Sequence, residues 1–149
     1  MRNIKHYYEL VDRYVYHQEP EKTPEELKQE FSASHCVFPT PDVYKTAAFY
    51  HDKLGFQRVD YMDSQDKHVS LCRGSVELIL TPSNGQNVVP NHELYGSGAD
   101  AYIVVKDPQA LHDEYAAREV TFIRELHKTD SGKKEFVIED IDGRWICFQ

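Results

Sequence analysis

After residue 33, short runs in which apolar and polar residues alternate are separated by longer runs with apolar residues three or four positions apart. Strict alternation is typical of a half-buried strand, and the wider spacing is typical of an amphipathic helix. The order strand, helix, strand, strand, strand occurs twice along the chain. We predict the first set at 34–38, 42–53, 56–62, 68–73 and 75–81, and the second at 101–105, 108–118, 120–126, 134–139 and 144–149.

The two sets share landmarks at matching points. Pro41 and Pro108 each stand beside an aspartate at the start of a predicted helix. Phe56 and Phe122 each open the strand that follows, at nearly the same distance along the chain. The sequence therefore predicts one repeated domain at 34–149, with βαβββ modules at 34–81 and 100–149 and a linker at 82–99 that is rich in Ser, Asn, Gly and Pro.

Residues 1–33 follow a different pattern. Apolar residues recur at helical spacing over 3–17, which predicts an amphipathic helix. A capping box that begins at Thr23 predicts a second helix over 23–31. We therefore expect an N-terminal helical extension before the repeated domain.

Composition narrows the class of protein. The chain has 149 residues, with 17 Lys and Arg against 25 Asp and Glu, and a formal net charge of -8. We expect no nucleic-acid partner, because phosphates require clustered basic residues, and no membrane span, because one needs about 20 apolar residues. The cysteines are widely spaced without a CxxC pair, and the N-terminus does not resemble a signal peptide, so we expect a reduced, cytoplasmic protein.

Two segments carry a family resemblance. Residues 48–56 read AFYHDKLGF and residues 139–144 read EDIDGR. Both are similar to motifs of the vicinal oxygen chelate superfamily, which includes glyoxalase I, extradiol dioxygenases and bleomycin-resistance proteins, with Ile141 in place of the usual proline. The resemblance covers 34–149 and implies an α+β fold in which two βαβββ modules form an open barrel around a cleft. It also implies a homodimer whose protomers both contribute to the site.

The resemblance further implies where a metal would bind, because metal-dependent members place ligands on the first and last strands of each module. These positions fall at His35, at Leu78 or Ile79, at Ala101 or Tyr102, and at Cys147. Only His35 suits a hard divalent ion. Because a catalytic metal site needs about three protein ligands, we expect no metal cofactor, and a divalent metal is the alternative.

Alternation along the strands predicts which side chains face the cleft. Because Leu78 suits the core, Glu77 and Ile79 should point toward the cleft. Glu77 is then two residues away from the position of a metal ligand. The same rule predicts that these further side chains line the cleft: His35, Val37, Trp145 and Cys147.

Three of these side chains each have two interpretations. Glu77 is either a general base or anchor for a cationic ligand, which an apolar cleft would favour, or a solvated glutamate on an open sheet. Trp145, the only tryptophan, either stacks on a planar or cationic ligand or packs within the barrel. His35 either contacts the ligand or bonds to a neighbouring strand.

Three functions are compatible with this set of residues. The favoured one is bleomycin-resistance-like binding and sequestration of a small organic molecule in the cleft, without a metal. The alternative is a divalent-metal lyase or isomerase of the glyoxalase I type, in which Glu77 moves the proton. The third is a non-catalytic interaction protein that uses the N-terminal helices.

Overall fold

A computed structural model describes residues 23–25 and 31–149 of the chain. The first predicted N-terminal helix, and all of the second except residues 23–25 and 31, lie outside the described residues. His35–Gln149 form one compact unit that contains both predicted modules. Among the described residues, none of the helices is long and apolar enough to cross a membrane.

Each module has the predicted order of one strand, one helix and three strands. The first module consists of β1 Cys36–Thr40, α1 Val43–Asp52, β2 Gln57–Asp60, β3 Val69–Arg73 and β4 Val76–Pro82. A short helix, α2 Asn91–Tyr95, lies in the predicted linker, and its five residues are too few to show a helical period in the sequence. The second module consists of β5 Ala101–Ile103, α3 Pro108–Ala117, β6 Phe122–Lys128, β7 Lys134–Glu139 and β8 Trp145–Phe148.

The strands form two four-stranded mixed sheets with the same topology. Sheet 1 has the order β1-β4-β3-β2, and sheet 2 has the order β5-β8-β7-β6. In each sheet the first and last strands of the module pair in parallel, and the other pairs are antiparallel. The predicted α+β fold of two βαβββ modules is therefore confirmed, and the described strands do not close into a barrel.

Capping aspartates start both long helices, as the sequence predicts. The Asp42 carboxylate accepts a hydrogen bond from the backbone N–H of Lys45 at 3.0 Å. Asp107 does the same for Ala110 at 3.0 Å, and a proline occupies the first turn of α3, where its missing N–H costs nothing. The helix starts are thus set by local chemistry that recurs in both modules.

One face of each sheet packs against the helix of its own module. In sheet 1 the side chains of Phe38, Leu78 and Leu80 are buried under α1. In sheet 2 Ile146 and Phe148 are buried in the same way near α3. The alternate residues of each strand point to the opposite side, which we call the open face of the sheet.

Two polar networks, one buried and one partly exposed, join the modules. In the first, the Tyr50 hydroxyl of α1 donates a hydrogen bond to Asp140 Oδ2 at 2.8 Å, and Arg144 forms an ion pair with the same oxygen at 3.1 Å. In the second, Arg73 at the end of β3 forms an ion pair with Glu114 of α3 at 2.7 Å. The modules are therefore joined by side chains from helices and hairpin ends rather than by strand pairing.

Candidate functional site

The predicted cleft residues of the first module lie together on the open face of sheet 1. Strand pairing places Val37, Ile79 and Ser70 in one row across β1, β4 and β3. Glu77 lies on the same face two residues before Ile79, and His35 lies beside it. Four of the predicted residues therefore share one surface, and their contact with a ligand stays a prediction.

The Glu77 carboxylate lies between a serine and a histidine. Ser70 Oγ donates a hydrogen bond to Glu77 Oε1 at 2.8 Å, and His35 Nε2 lies 3.4 Å from Glu77 Oε2. Ser70 is only 5% exposed, whereas the side chains of His35 and Glu77 are 39% and 31% exposed. A buried hydroxyl thus orients an accessible carboxylate beside an accessible imidazole.

Ser70 is not among the predicted site residues, because a lone serine within a strand belongs to no motif. An indirect signal does exist in the β3–β4 hairpin. Gly74 makes the tight turn with a φ of +59°, a conformation that favours glycine. That turn sets the register in which Ser70 lies opposite Ile79, and therefore on the same face as Glu77.

Apart from Glu77 and the imidazole of His35, the strands of sheet 1 place uncharged side chains on the open face. Val37 of β1 is 55% exposed, and Val59, which pairs with β3 on this face, is 46% exposed. The two arginines of the sheet belong to the other side, since Arg58 pairs with a residue of the buried face and Arg73 binds α3. This surface is therefore partly apolar and carries a single oriented carboxylate.

Cys147 lies in the middle of the open face of sheet 2, where it pairs with Tyr102 and Val137. It is 2% exposed, and its Sγ lies 3.8 Å from Glu135 Oε2. Burial, reinforced by the Glu135 carboxylate, raises the pKa of the Cys147 thiol to about 11. The thiol therefore stays protonated at neutral pH, which makes it a poor nucleophile.

Trp145 begins β8 and stacks on a residue of the linker. The His92 ring lies parallel to the indole, with a centroid distance of 3.9 Å and an interplanar angle of 4°. His92 Nε2 donates a hydrogen bond to the Gly143 carbonyl at 2.9 Å, which holds the imidazole in place. The indole Nε1 is buried without a hydrogen-bond partner. One face of Trp145 is thus covered by His92, and its stacking on a ligand stays a prediction.

A cavity of about 570 Å³ adjoins the open face of sheet 1. Its walls come from the ends of β1 and β4, the linker and the start of β8, and they include Val37, Thr81, Asn87 and Arg144. This volume lies within the roughly 300–1,000 Å³ of small-molecule sites. A second cavity of about 610 Å³ lies between the β3–β4 turn and α3 and contains none of the predicted site residues.

A family model described as the Glyoxalase/Bleomycin resistance protein/Dioxygenase superfamily matches residues 32–148. The chain belongs to this superfamily. The match confirms the family that the two sequence motifs predict. No curated protein matches the chain.

Solved structures of other proteins have the same fold. The bleomycin-binding protein from Streptomyces verticillus, solved with copper(II)-bleomycin, is 23% identical, with a TM-score of 0.59 over 80% of this chain and 96% of that one. TnmS3, an antibiotic binding protein from Streptomyces sp. CB03234, is 16% identical, with a TM-score of 0.61 over 80% and 96%. A superfamily member from Sphaerobacter thermophilus DSM 20745 is 17% identical, with a TM-score of 0.63 over 80% and 97%. At these identities the likeness establishes the fold alone.

The side chains at the superfamily's metal positions do not fit a metal in this member. Strand pairing puts Ile79 on the open face beside Val37, and Cys147 beside Tyr102. His35 is thus the only good donor among those positions for a hard divalent ion, which prefers oxygen and imidazole to the Cys147 thiol. In the described part of the chain, no three His, Cys, Asp or Glu side chains converge closely enough to hold an ion. The described residues at these positions therefore do not fit the three-ligand set of a catalytic divalent metal.

Proposed function

We propose that this chain binds a small organic molecule on the open face of sheet 1 and sequesters it unchanged. The Glu77 carboxylate carries this proposal, because Ser70 orients it within an otherwise neutral and partly apolar surface. Sites for small molecules combine apolar walls with a few well-placed polar groups. The cavity of about 570 Å³ reaches this face at Val37 but is not lined by Glu77, so the ligand site that we propose is the exposed open face itself.

The open face of sheet 1 offers few of the groups that the glyoxalase-type alternative requires. Proton abstraction next to a carbonyl needs a group that stabilises the oxyanion, such as a metal, a lysine or an arginine. Glu77 could accept a proton, but the described strands of sheet 1 place no lysine or arginine on the open face. The side chains at the metal positions also do not suit a divalent ion. Binding of an unchanged ligand is therefore better supported than catalytic turnover.

Relatives with this fold support binding in general terms. The Streptomyces verticillus protein binds copper(II)-bleomycin, and TnmS3 is an antibiotic binding protein. A homodimer is part of the proposal, because Val37, Tyr102 and Val104 are 55%, 63% and 75% exposed. A second copy that covers such side chains would remove apolar surface from water and enclose the ligand.

The full chain, labelled with ¹³C at its methyl groups, tests the proposal by NMR with metal-free bleomycin and a library of aromatic amines, alcohols and acids. We expect shift changes at Val37 and Ile79, and recovery of the unchanged compound by mass spectrometry. Val37→Trp should weaken binding roughly tenfold by filling the face. The matched control Tyr44→Trp, at a half-exposed position on α1, should not. Shift changes away from the open face, or a converted compound, would contradict the proposal, and a monomeric mass in analytical ultracentrifugation would contradict the dimer.

A further inference from the structure

We propose that the ligand carries an organic cation rich in N–H donors, a primary ammonium or an amidinium, which binds Glu77, and that Ser70 is the positioning residue for this contact. The inference rests on the proposed binding function and adds the chemical class of the ligand. It follows from three properties of the open face of sheet 1: the orientation of the carboxylate, its open acceptor sites, and the position of the arginines of the sheet on the other side.

Ser70 restricts the orientation of the Glu77 side chain. Its hydroxyl donates to Glu77 Oε1 at 2.8 Å and is held within β3 by its own burial. An ionised carboxylate has about four acceptor sites, so one serine leaves most of them open. Because Glu77 is 31% exposed, those remaining sites are accessible from the open face. An oriented carboxylate loses less conformational entropy when it binds a ligand than a free glutamate does.

His35 borders the carboxylate. Its Nε2 lies 3.4 Å from Glu77 Oε2, a contact that leaves acceptor sites open on the two Glu77 oxygens. The side chains of His35 and Glu77 are 39% and 31% exposed, so a ligand can reach both. The carboxylate thus offers several acceptor sites to a group with several N–H donors.

No lysine or arginine of the described strands of sheet 1 lies beside Glu77 on this face. Arg73 is bound to Glu114 on the other side of the sheet, and Arg58 pairs with Leu71 of the buried face. A cationic ligand would therefore meet a carboxylate that no lysine or arginine of the sheet neutralises, whereas an anion would be repelled. The formal net charge of -8 attracts cations at longer range as well.

Three probes with one aromatic body and different charges test the inference by isothermal titration of the full chain: 1-naphthylmethylamine, 1-naphthylmethanol and 1-naphthoate. We expect the amine to bind roughly tenfold more tightly than the alcohol, and the acid to bind most weakly. Glu77→Gln should abolish the preference for the amine. Glu125→Gln, which removes the same charge from a residue that binds His112 of α3, is the matched control and should retain it.

Ser70→Ala tests the positioning role. We expect it to reduce the ratio of amine to alcohol affinity several-fold while the alcohol binds as before, and Ser70→Thr, which keeps the hydroxyl in the strand, should restore the ratio. A purely structural role would change the binding of both probes together. Equal binding of all three probes, or a preference that survives Glu77→Gln, overturns the inference and leaves the proposed function standing. Failure of all three to bind counts against the proposed function itself.

Discussion

Replacing Asp140 with alanine is expected to lower the free energy of unfolding by about 3–5 kcal/mol, because it leaves a buried arginine without its main partner. The Asp140 side chain is 0% exposed and that of Arg144 is 3% exposed. In the variant, Arg144 keeps Asp142 at 3.0 Å as its remaining ionic partner. The buried hydroxyl of Tyr50 loses its acceptor at 2.8 Å. Since Asp142 stays in place, we expect a loss near the lower end of the range.

The pKa values of the two partners show that burial and attraction nearly balance in this ion pair. Burial raises the pKa of the Asp140 carboxyl, and the attraction of Arg144 lowers it only in part. For Arg144, burial lowers the pKa of the guanidinium, but the attraction of Asp140 outweighs it and the pKa is raised. Since the attraction does little more than offset desolvation, removing both charges should cost less than removing one. We expect the double variant Asp140→Ala, Arg144→Met to be more stable than Asp140→Ala by about 1–3 kcal/mol.

Urea unfolding of the full chain, followed by far-ultraviolet circular dichroism, measures these differences. Asp113→Ala is the control, because its side chain is 68% exposed, and it should change the unfolding free energy by no more than about 0.5 kcal/mol. A loss below about 1 kcal/mol for Asp140→Ala would refute the argument, since it would equal one ordinary hydrogen bond. The argument would also be refuted if the double variant lost as much unfolding free energy as Asp140→Ala and Arg144→Met lose together when each is measured alone.

Three further outcomes are expected. Burial raises the pKa of Tyr115 from 10.0 to about 12. The buried, protonated phenol therefore contributes its full stability below pH 10.0, and this contribution is lost as the pH rises toward about 12. Over that window the unfolding free energy in urea should fall by roughly 3 kcal/mol more in the unchanged chain than in Tyr115→Phe, since Cys147 titrates in both. Iodoacetamide at about pH 8 should label the half-buried Cys72 and spare Cys147 in peptide mass spectra; early labelling of Cys147 contradicts its high pKa. His92→Ala should shift the emission of Trp145 to longer wavelength by uncovering the indole, and an unchanged spectrum contradicts the stack.

The fold could be predicted because its signals are local and occur twice. Aspartate next to proline marks both helix starts, and Asp42 and Asp107 do cap their helices. Alternation around Leu78 predicts which face of the strand is buried, and the burial of Leu78 confirms it. The test is sharp, because a shift of one residue would have moved every side chain to the other face. The predicted N-terminal helices fall largely outside the described residues and stay a prediction.

The geometry of the candidate site is harder to predict from the sequence, because it depends on contacts between distant segments. His35 and Glu77 were predicted on one face, but their separation of 3.4 Å follows from the parallel pairing of β1 with β4. The stacking of His92 on Trp145 depends on the path of the linker, which carries no periodic signal. Neither contact has a local signature in the sequence.

The way in which the two modules are joined has a consequence for how the protein can evolve. Polar pairs at hairpin ends and helices, the buried Tyr50 with Asp140 and the half-buried Arg73 with Glu114, hold the modules together. None of these residues lies on the open face that carries Ser70. Substitutions there can therefore accumulate with little effect on the module interface, because distant sites contribute nearly independently to stability. Selection can retune what such a scaffold recognises while the same pairs continue to maintain its architecture.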